Sequence, residues 1–538
     1  MTLLIAPQLM GPLGQYGIKH AALFDGGTGY LSRTPGATGN RKTFDIFGWV
    51  KLCTDFNSVT YYNMILGARV AATSYTGLWI GGGSSGMGLI HRISGSTVLY
   101  PQFNTVKLRD LTGWYPFHFA VDTTQATASA AYIFKIGGQG GEVISLPLSA
   151  TTHVQNTDTY INLSGTPMYQ AFDVSVNAPA TGFPYYAHTG LVDGGGTAFE
   201  DFFKVDPSTG NWAPKNIQGI TWGTNGVFFK YGNAANLGED SSGNGNDFTV
   251  TGTVTQSADT PTNNHATLNP LCVNNWNASG AFAFSNGNKT ANDTAASNYG
   301  FCWTTFVFES GKHSVQATYD TAGASAVVGA GDPSQTLTNA VNVRYAASAG
   351  QILNDATTTQ TGLAVMSVTD TIEVLVDADA RQVVFKVNGI TQGTPETISG
   401  SSPIGIFCGN AGTGNSSKWT LDAGTDGYTP SDAAYKTLCT DNLPAQSPKV
   451  PATPQTGSFT GNANADGPFI NLGMAPDQSG ASTINGNAIT WGAHADACAT
   501  GFKLRTSSAL YNAAGANTYS IAVAAYTGGR NIPPATAQ

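Results

Sequence analysis

Glutamate occurs six times in 538 residues, at Glu142, Glu200, Glu239, Glu309, Glu373 and Glu396, and no two are closer than Glu373 and Glu396. Helical surfaces are built from Glu, Lys, Arg and Gln, so so little glutamate removes the helix as the main element. Charged residues make up only 11% of the chain, while the hydrophobic share is 41% and aromatics reach 10%. That is enough apolar mass for packed cores, and it excludes disorder, which goes with few aromatics and high net charge. The chain reads as folded and all-β. At this length one core does not suffice, and several β-sandwiches in series are the natural solution.

Along the chain, short apolar stretches alternate with turn clusters. Residues 1–20 form an arm broken by Pro and Gly, of the kind that lies against a neighbour. From Ala21 the strand signals begin, with Phe44 to Leu52, Tyr61 to Val70, Thr76 to Ile80 and Tyr115 to Val121 among the clearest. This spacing fits a many-stranded sandwich over 21–258, with Asp201 to Val250 supplying segments that cover it. A polar link with two prolines, 259–270, opens a second sandwich over 259–446. There Ile372, Val374 and Val376 alternate with Thr371, Glu373, Leu375 and Asp377, and Val383, Phe385 and Val387 share a face before Asn388-Gly389, a type I′ turn signal. A proline-rich linker, 447–456, precedes a small β domain with a polar tail, 457–538.

Net charge is −9 and basic residues are scattered, so no stripe exists to neutralise phosphates and nucleic acid is not an expected partner. No apolar run approaches the roughly 18 residues of a membrane span. The start has no basic residue before Lys19, which is not the pattern of a secretory signal, so synthesis in a cytoplasm is expected. The six cysteines, Cys53, Cys272, Cys302, Cys408, Cys439 and Cys498, lie far apart and read as buried free thiols.

Four segments resemble bacteriophage proteins. Leu23-Phe24-Asp25-Gly26-Gly27-Thr28-Gly29-Tyr30-Leu31-Ser32-Arg33-Thr34-Pro35, with Gly48-Trp49-Val50-Lys51, resembles the opening of the laminin-G-like, concanavalin-like jelly rolls of tailed-phage virion proteins. Arg109-Asp110-Leu111-Thr112-Gly113-Trp114-Tyr115 resembles a central strand of the same domain, although Lys135-Ile136-Gly137-Gly138 stands where an Asn-Gly hairpin is usual. Leu237 to Phe248 and Asp259 to Asn264 resemble the passage into a SPRY-like β-sandwich, which Glu309 to His313 and Thr437 to Pro444 also fit. Asp466 to Phe469, with Thr500 to Arg505, resembles a small C-terminal phage module. The resemblance implies a virion protein on tail or head, made in the host cytoplasm. As a fibre or adhesin it would form a homotrimer, bind a host-surface glycan or protein, and contact other virion proteins through the arm. The rival role is capsid decoration or another purely structural subunit, and a polysaccharide-degrading spike is the remote one.

Catalysis is not expected. Retaining glycoside hydrolysis needs two carboxyl groups about 5 to 5.5 Å apart, and the glutamates are too dispersed, while Asp377 and Asp379 stand at a turn where solvated aspartates are common. The eight histidines show no ligand spacing. No cofactor is required. The metal candidate is a Ca²⁺ loop: Asp240, Ser242 and Asn244 occupy alternate ligand positions before Gly245, with Asn246 beside them, although Thr251 stands where the last acid belongs. For a glycan, Tyr185-Tyr186 beside His188, or Tyr61-Tyr62-Asn63, offers ring faces, whereas Trp49 and Trp114 point to the core. The Asn-x-Ser/Thr triplets at Asn162, Asn277, Asn288, Asn292 and Asn415 are no more than so Asn- and Thr-rich a chain contains by chance.

Overall fold

The computed structural model describes residues 16–53, 64–80, 86–103, 108, 110–138, 141–180, 182, 184–206, 210–275, 282–293, 300–333, 342–355, 357–411 and 417–443, and the strands of the last unit. Two compact units divide the chain, Met1–Ala445 and Gln446–Gln538. The fold is all-β and multi-domain. Among the described residues the helices are two single turns, Ala128–Ala131 and Phe199–Phe202.

The first unit contains two sandwiches. In the first, one sheet runs Val143–Ser145, Tyr132–Gly137, Trp114–Asp122, Thr43–Lys51, Tyr185–Asp193, Ala21–Phe24, Val254–Ser257, with Val227–Phe229 also paired to Tyr185–Asp193. The facing sheet runs Thr249–Thr251, Tyr30–Arg33, Met168–Gln170, Met64–Ala71, Ser74–Ile80, Met87–Ile93, Ser96–Leu99. The second sandwich uses only strands after 267, in a seven-stranded sheet centred on Ala326–Gly331 and an eight-stranded one centred on Lys312–Thr321 and Thr371–Asp377. Sheet membership therefore changes between Ser257 and Leu268. The segment between is no solvated linker: Asp259, Thr260, Asn264, His265, Ala266 and Thr267 are all buried.

Strand Thr43–Lys51 shows how the first sandwich is layered. Its side chains alternate, and Phe44, Ile46 and Val50 enter the core between the two sheets. Phe47 and Trp49 face the other way and are buried too, under Phe199, Phe202, Phe203, Trp212 and Phe228 of the covering segment. Phe47 and Phe202 stack with ring centroids 3.6 Å apart. Trp49 and Trp114 thus lie beneath this cover rather than between the sheets. Covering both faces also buries the two charges on the outward row, Asp45 and Lys51, and a buried charge must be partnered.

Part of the N-terminal arm folds onto its own chain. Ile18 is buried, its carbonyl accepts a hydrogen bond from the Thr262 hydroxyl at 2.8 Å, and the Tyr16 ring lies against His188. Residues 1–15 lie outside the described residues.

In the second sandwich Thr371–Asp377 pairs with Gln382–Val387, which turns through Asn388 (φ 48°) and Gly389 (φ 80°) into Ile390–Thr397. The Asn-Gly turn therefore joins the second and third strands of a meander, and Ala378 to Arg381 joins the first two. Glu373 and Leu375 are buried as well as Ile372, Val374 and Val376.

The second unit pairs its strands concentrically: Gln455–Gly461 with Asn517–Val523, Phe469–Leu472 with Phe502–Arg505, and Ala481–Ile484 with Asn487–Thr490.

Candidate functional site

The sequence motifs of the first sandwich converge on one polar cluster. Asp193, at the end of its strand, accepts hydrogen bonds from the Asn40 backbone (2.6 Å), the Asn225 backbone (2.9 Å) and the Asn162 side-chain amide (2.9 Å). Arg33 crosses from the facing sheet to the side-chain oxygens of Asn225 and Asn246. The Asp240 loop closes the cluster. One Asp240 oxygen accepts the Phe228 and Ser242 backbone N–H groups, at 3.0 and 2.8 Å. The other accepts the Ser242 hydroxyl and the Asn246 backbone N–H, at 2.8 and 2.9 Å.

Most side chains of the expected calcium loop are turned to protein partners. A Ca²⁺ ion needs six or more oxygens turned inward. Here both Asp240 oxygens are occupied by donors, and Ser242 gives its hydroxyl hydrogen to Asp240. Asn244 turns its NH₂ to the Gly223 and Gly226 carbonyls, and Asn246 to those of Thr224 and Gly226. The Asn246 side-chain oxygen is held by the Arg33 guanidinium, already a cation and electrostatically coupled to Asp240. As placed, Asp240, Ser242, Asn244 and Asn246 knit a turn from protein donors, with the Arg33 cation beside them. Among the described residues no group of three His, Cys, Asp or Glu side chains could hold a metal.

Several other titratable groups are also bound into the scaffold. Glu373 is buried on the outer face of its sheet, where Tyr428, the Ser431 backbone and the Ser431 hydroxyl donate to it. Glu396 accepts from Gln360 and Asn354, Asp377 pairs with Lys312 at 2.7 Å, and Asp379 accepts the Gly311 N–H. Asp45 accepts the Thr197 backbone and hydroxyl, both at 2.7 Å, and burial raises its pKa despite them. His118 lies 3.9 Å from Asp45, yet burial pushes its pKa down to about 4, so at neutral pH the two form no ion pair. Cys53, Cys302, Cys408 and Cys439 are buried free thiols, while Cys498 lies outside the described residues. Asn162 and Asn288 are buried and cannot accept a glycan, Asn292 is half-buried, and Asn277 and Asn415 lie outside the described residues.

Aromatic side chains provide the exposed chemistry, though not where the Tyr-Tyr pairs suggest. Tyr185, Tyr186 and His188 are buried because their strand is central in a sheet covered on both faces, and Tyr61, Tyr62 and Asn63 lie outside the described residues. Instead the outer face of the second sheet carries a shelf of two half-buried tyrosines on a buried phenylalanine, in which Tyr169 stacks on Phe172 at 4.4 Å and Tyr30 meets Phe172 at 4.8 Å. The turn that brings Phe172 onto this face also seats Val174 over Gly67, where a Cβ would stand 2.6 Å from the valine. Beside the shelf, Tyr100 packs on Trp79, and the Arg69 guanidinium is held by the Val174 carbonyl. The signal was present in the sequence, since Leu31 pointing inward turns Tyr30 outward.

No protein-family model and no curated protein matches the chain. Solved structures similar to part of it are SPRY domains. The SPRY domain of human HERC1 is 15% identical, with a TM-score of 0.24, over 29% of this chain and 96% of that one. The PSpry domain of TRIM65 is 12% identical, with a TM-score of 0.23, over 29% and 92%. A human SPRY domain is 16% identical, with a TM-score of 0.21, over 26% and 93%.

Proposed function

We propose that this chain is a non-catalytic binding protein displayed on the surface of a bacteriophage particle, where it attaches to a host-surface glycan. The phage setting rests on the sequence resemblance. The binding reading rests on one observation, the half-buried shelf of Tyr30 and Tyr169 packed on the buried Phe172. Ring faces of this kind stack on the apolar side of a sugar, and the tyrosine hydroxyls and nearby polar groups can meet its hydroxyls. The carboxylates described above are engaged in holding strands and loops, which favours a display role over hydrolysis.

The test is binding of the purified chain to host-cell envelope polysaccharide, compared with the double variant Tyr30→Ala, Tyr169→Ala. A loss of roughly tenfold or more in affinity is expected, the cost of removing two stacking faces, with the melting temperature little changed. Unaltered binding by the double variant would refute the shelf as the site, and release of free sugar by the wild type would refute the non-catalytic reading.

A further inference from the structure

Lys51 ends the outward row of strand Thr43–Lys51, and its side chain is 0% exposed. Its Nζ lies 2.6 Å from Oδ2 of Asp259, also 0% exposed, and 2.7 Å from Oδ1 of Asn264, with the His265 carbonyl at 3.4 Å. Both partners come from the buried segment joining the two sandwiches. Each is held from a second side. Oδ1 of Asp259 accepts the Trp114 indole N–H at 3.1 Å and the His265 N–H at 3.4 Å, which leaves Oδ2 for the lysine. Nδ2 of Asn264 donates to the Thr112 carbonyl at 2.8 Å, which fixes the plane of the carboxamide. Trp114 and Tyr185, both fully buried, wall the site, and the Tyr185 ring centroid lies 5.7 Å from Nζ.

We propose that this is a self-acting cross-linking site, at which Lys51 and Asn264 join through an isopeptide bond with Asp259 as the proton-carrying carboxylate. A buried ion pair alone would need only the lysine and the aspartate, and burying both charges returns little stability. The third member is what an ion pair does not require: a carboxamide whose carbonyl oxygen touches the amine, so that its electrophilic Cγ lies one bond beyond. Reactants held in such contact, away from water, gain the advantage of an intramolecular reaction.

The steps balance without any outside reagent. Asp259 takes one proton from the Lys51 ammonium, and the free amine attacks Cγ of Asn264, forming the Nζ–Cγ bond. Asp259 then gives its proton to Nδ2 and takes a second from Nζ, the Cγ–Nδ2 bond breaks, and Nδ2 leaves as ammonia. An amine and a primary carboxamide become a secondary amide and ammonia, nothing is oxidised, and the carboxylate ends in its neutral form beside a neutral bond. The product would tie positions 213 residues apart and lock the first sandwich to the entry of the second, whatever the chain binds.

The experiment is mass spectrometry of the full chain, denatured and reduced, followed by a peptide map. The expected result is a mass lower than that of the sequence by one ammonia, with the Lys51 peptide recovered joined to the Asn264 peptide. An undiminished mass with a linear Lys51 peptide would overturn the proposal, and so would loss of one water with Lys51 joined to Asp259. Asn264→Ala should restore the full mass, and Asp259→Ala should leave Lys51 and Asn264 unjoined; a cross-link persisting in a soluble Asp259→Ala chain would refute the role of the carboxylate. The wild-type map decides the bond even where a variant fails to fold.

Discussion

At the scale of single residues, Asp240 shows why a loop rich in Asp, Asn and Gly is ambiguous in sequence. The same spacing serves a cation or a turn, and the choice lies in which way each amide points. That orientation is set here by Arg33, far away in the chain, and by the carbonyls of 223–226. Position and composition of the loop were legible, but its chemistry was not. The stability consequence follows from the four hydrogen bonds at the Asp240 carboxylate. Asp240→Ala strips the partners from four half-buried donors and leaves Arg33 without its countercharge, which should cost about 2–4 kcal/mol. Urea unfolding of the variant measures this. Melting of the wild type with millimolar Ca²⁺ and with chelator should coincide, and a clear upward shift with Ca²⁺ would show that the loop rearranges to take the ion.

At the scale of elements, alternation was readable wherever only one face of a strand is covered. Gln382–Val387 alternates strictly, with Val383, Phe385 and Val387 inside. Thr371–Asp377 loses the pattern because the segment around Tyr428 and Ser431 folds over its outer face and meets Glu373. Nothing local to the strand announces that cover. The edges of the second sandwich were equally hidden. Thr357–Gln360 and Ile390–Thr397 end their respective sheets, and unpaired edges invite another chain. Gln360 closes them against each other: its amide donates to the Thr394 carbonyl at 3.0 Å and accepts the Thr394 N–H at 2.8 Å, as a paired strand residue would. Gly393 makes room, with φ of 65° and a would-be Cβ only 2.1 Å from the Gln360 oxygen. Gln360→Ala should therefore lower stability by about 1–3 kcal/mol and raise aggregation on heating. Light scattering during a thermal ramp checks this, and a variant as soluble as the wild type would show that the edges need no clasp.

For the whole molecule, the scarcity of charge that marks the composition has a counterpart in how its few titratable groups are buried. Within the first sandwich burial pushes His91 and His118 down to about 4 and His188 to about 3, and in the second it lowers His313. Unfolded, each histidine titrates near 6.5, so between roughly that pH and 4 the unfolded chain binds protons that the folded one refuses. Stability is then complete above the unfolded value and falls as the solution is acidified, by at most about 1.4 kcal/mol per pH unit for each histidine. Asp45 and Asp110 act in the opposite sense. Burial raises their pKa values, so below those raised values the folded state takes up protons first and recovers part of the loss. Within the first sandwich, three histidines against two aspartates leave acid destabilising, on a domain whose total stability is about 5–15 kcal/mol. The urea midpoint of the first unit should drop markedly from pH 7 to pH 5, and His91→Gln should flatten the dependence by about a third of the first sandwich's share, one histidine of three. A midpoint constant over that range would mean that these imidazoles reach water in the folded state and are not sealed as the sandwich places them.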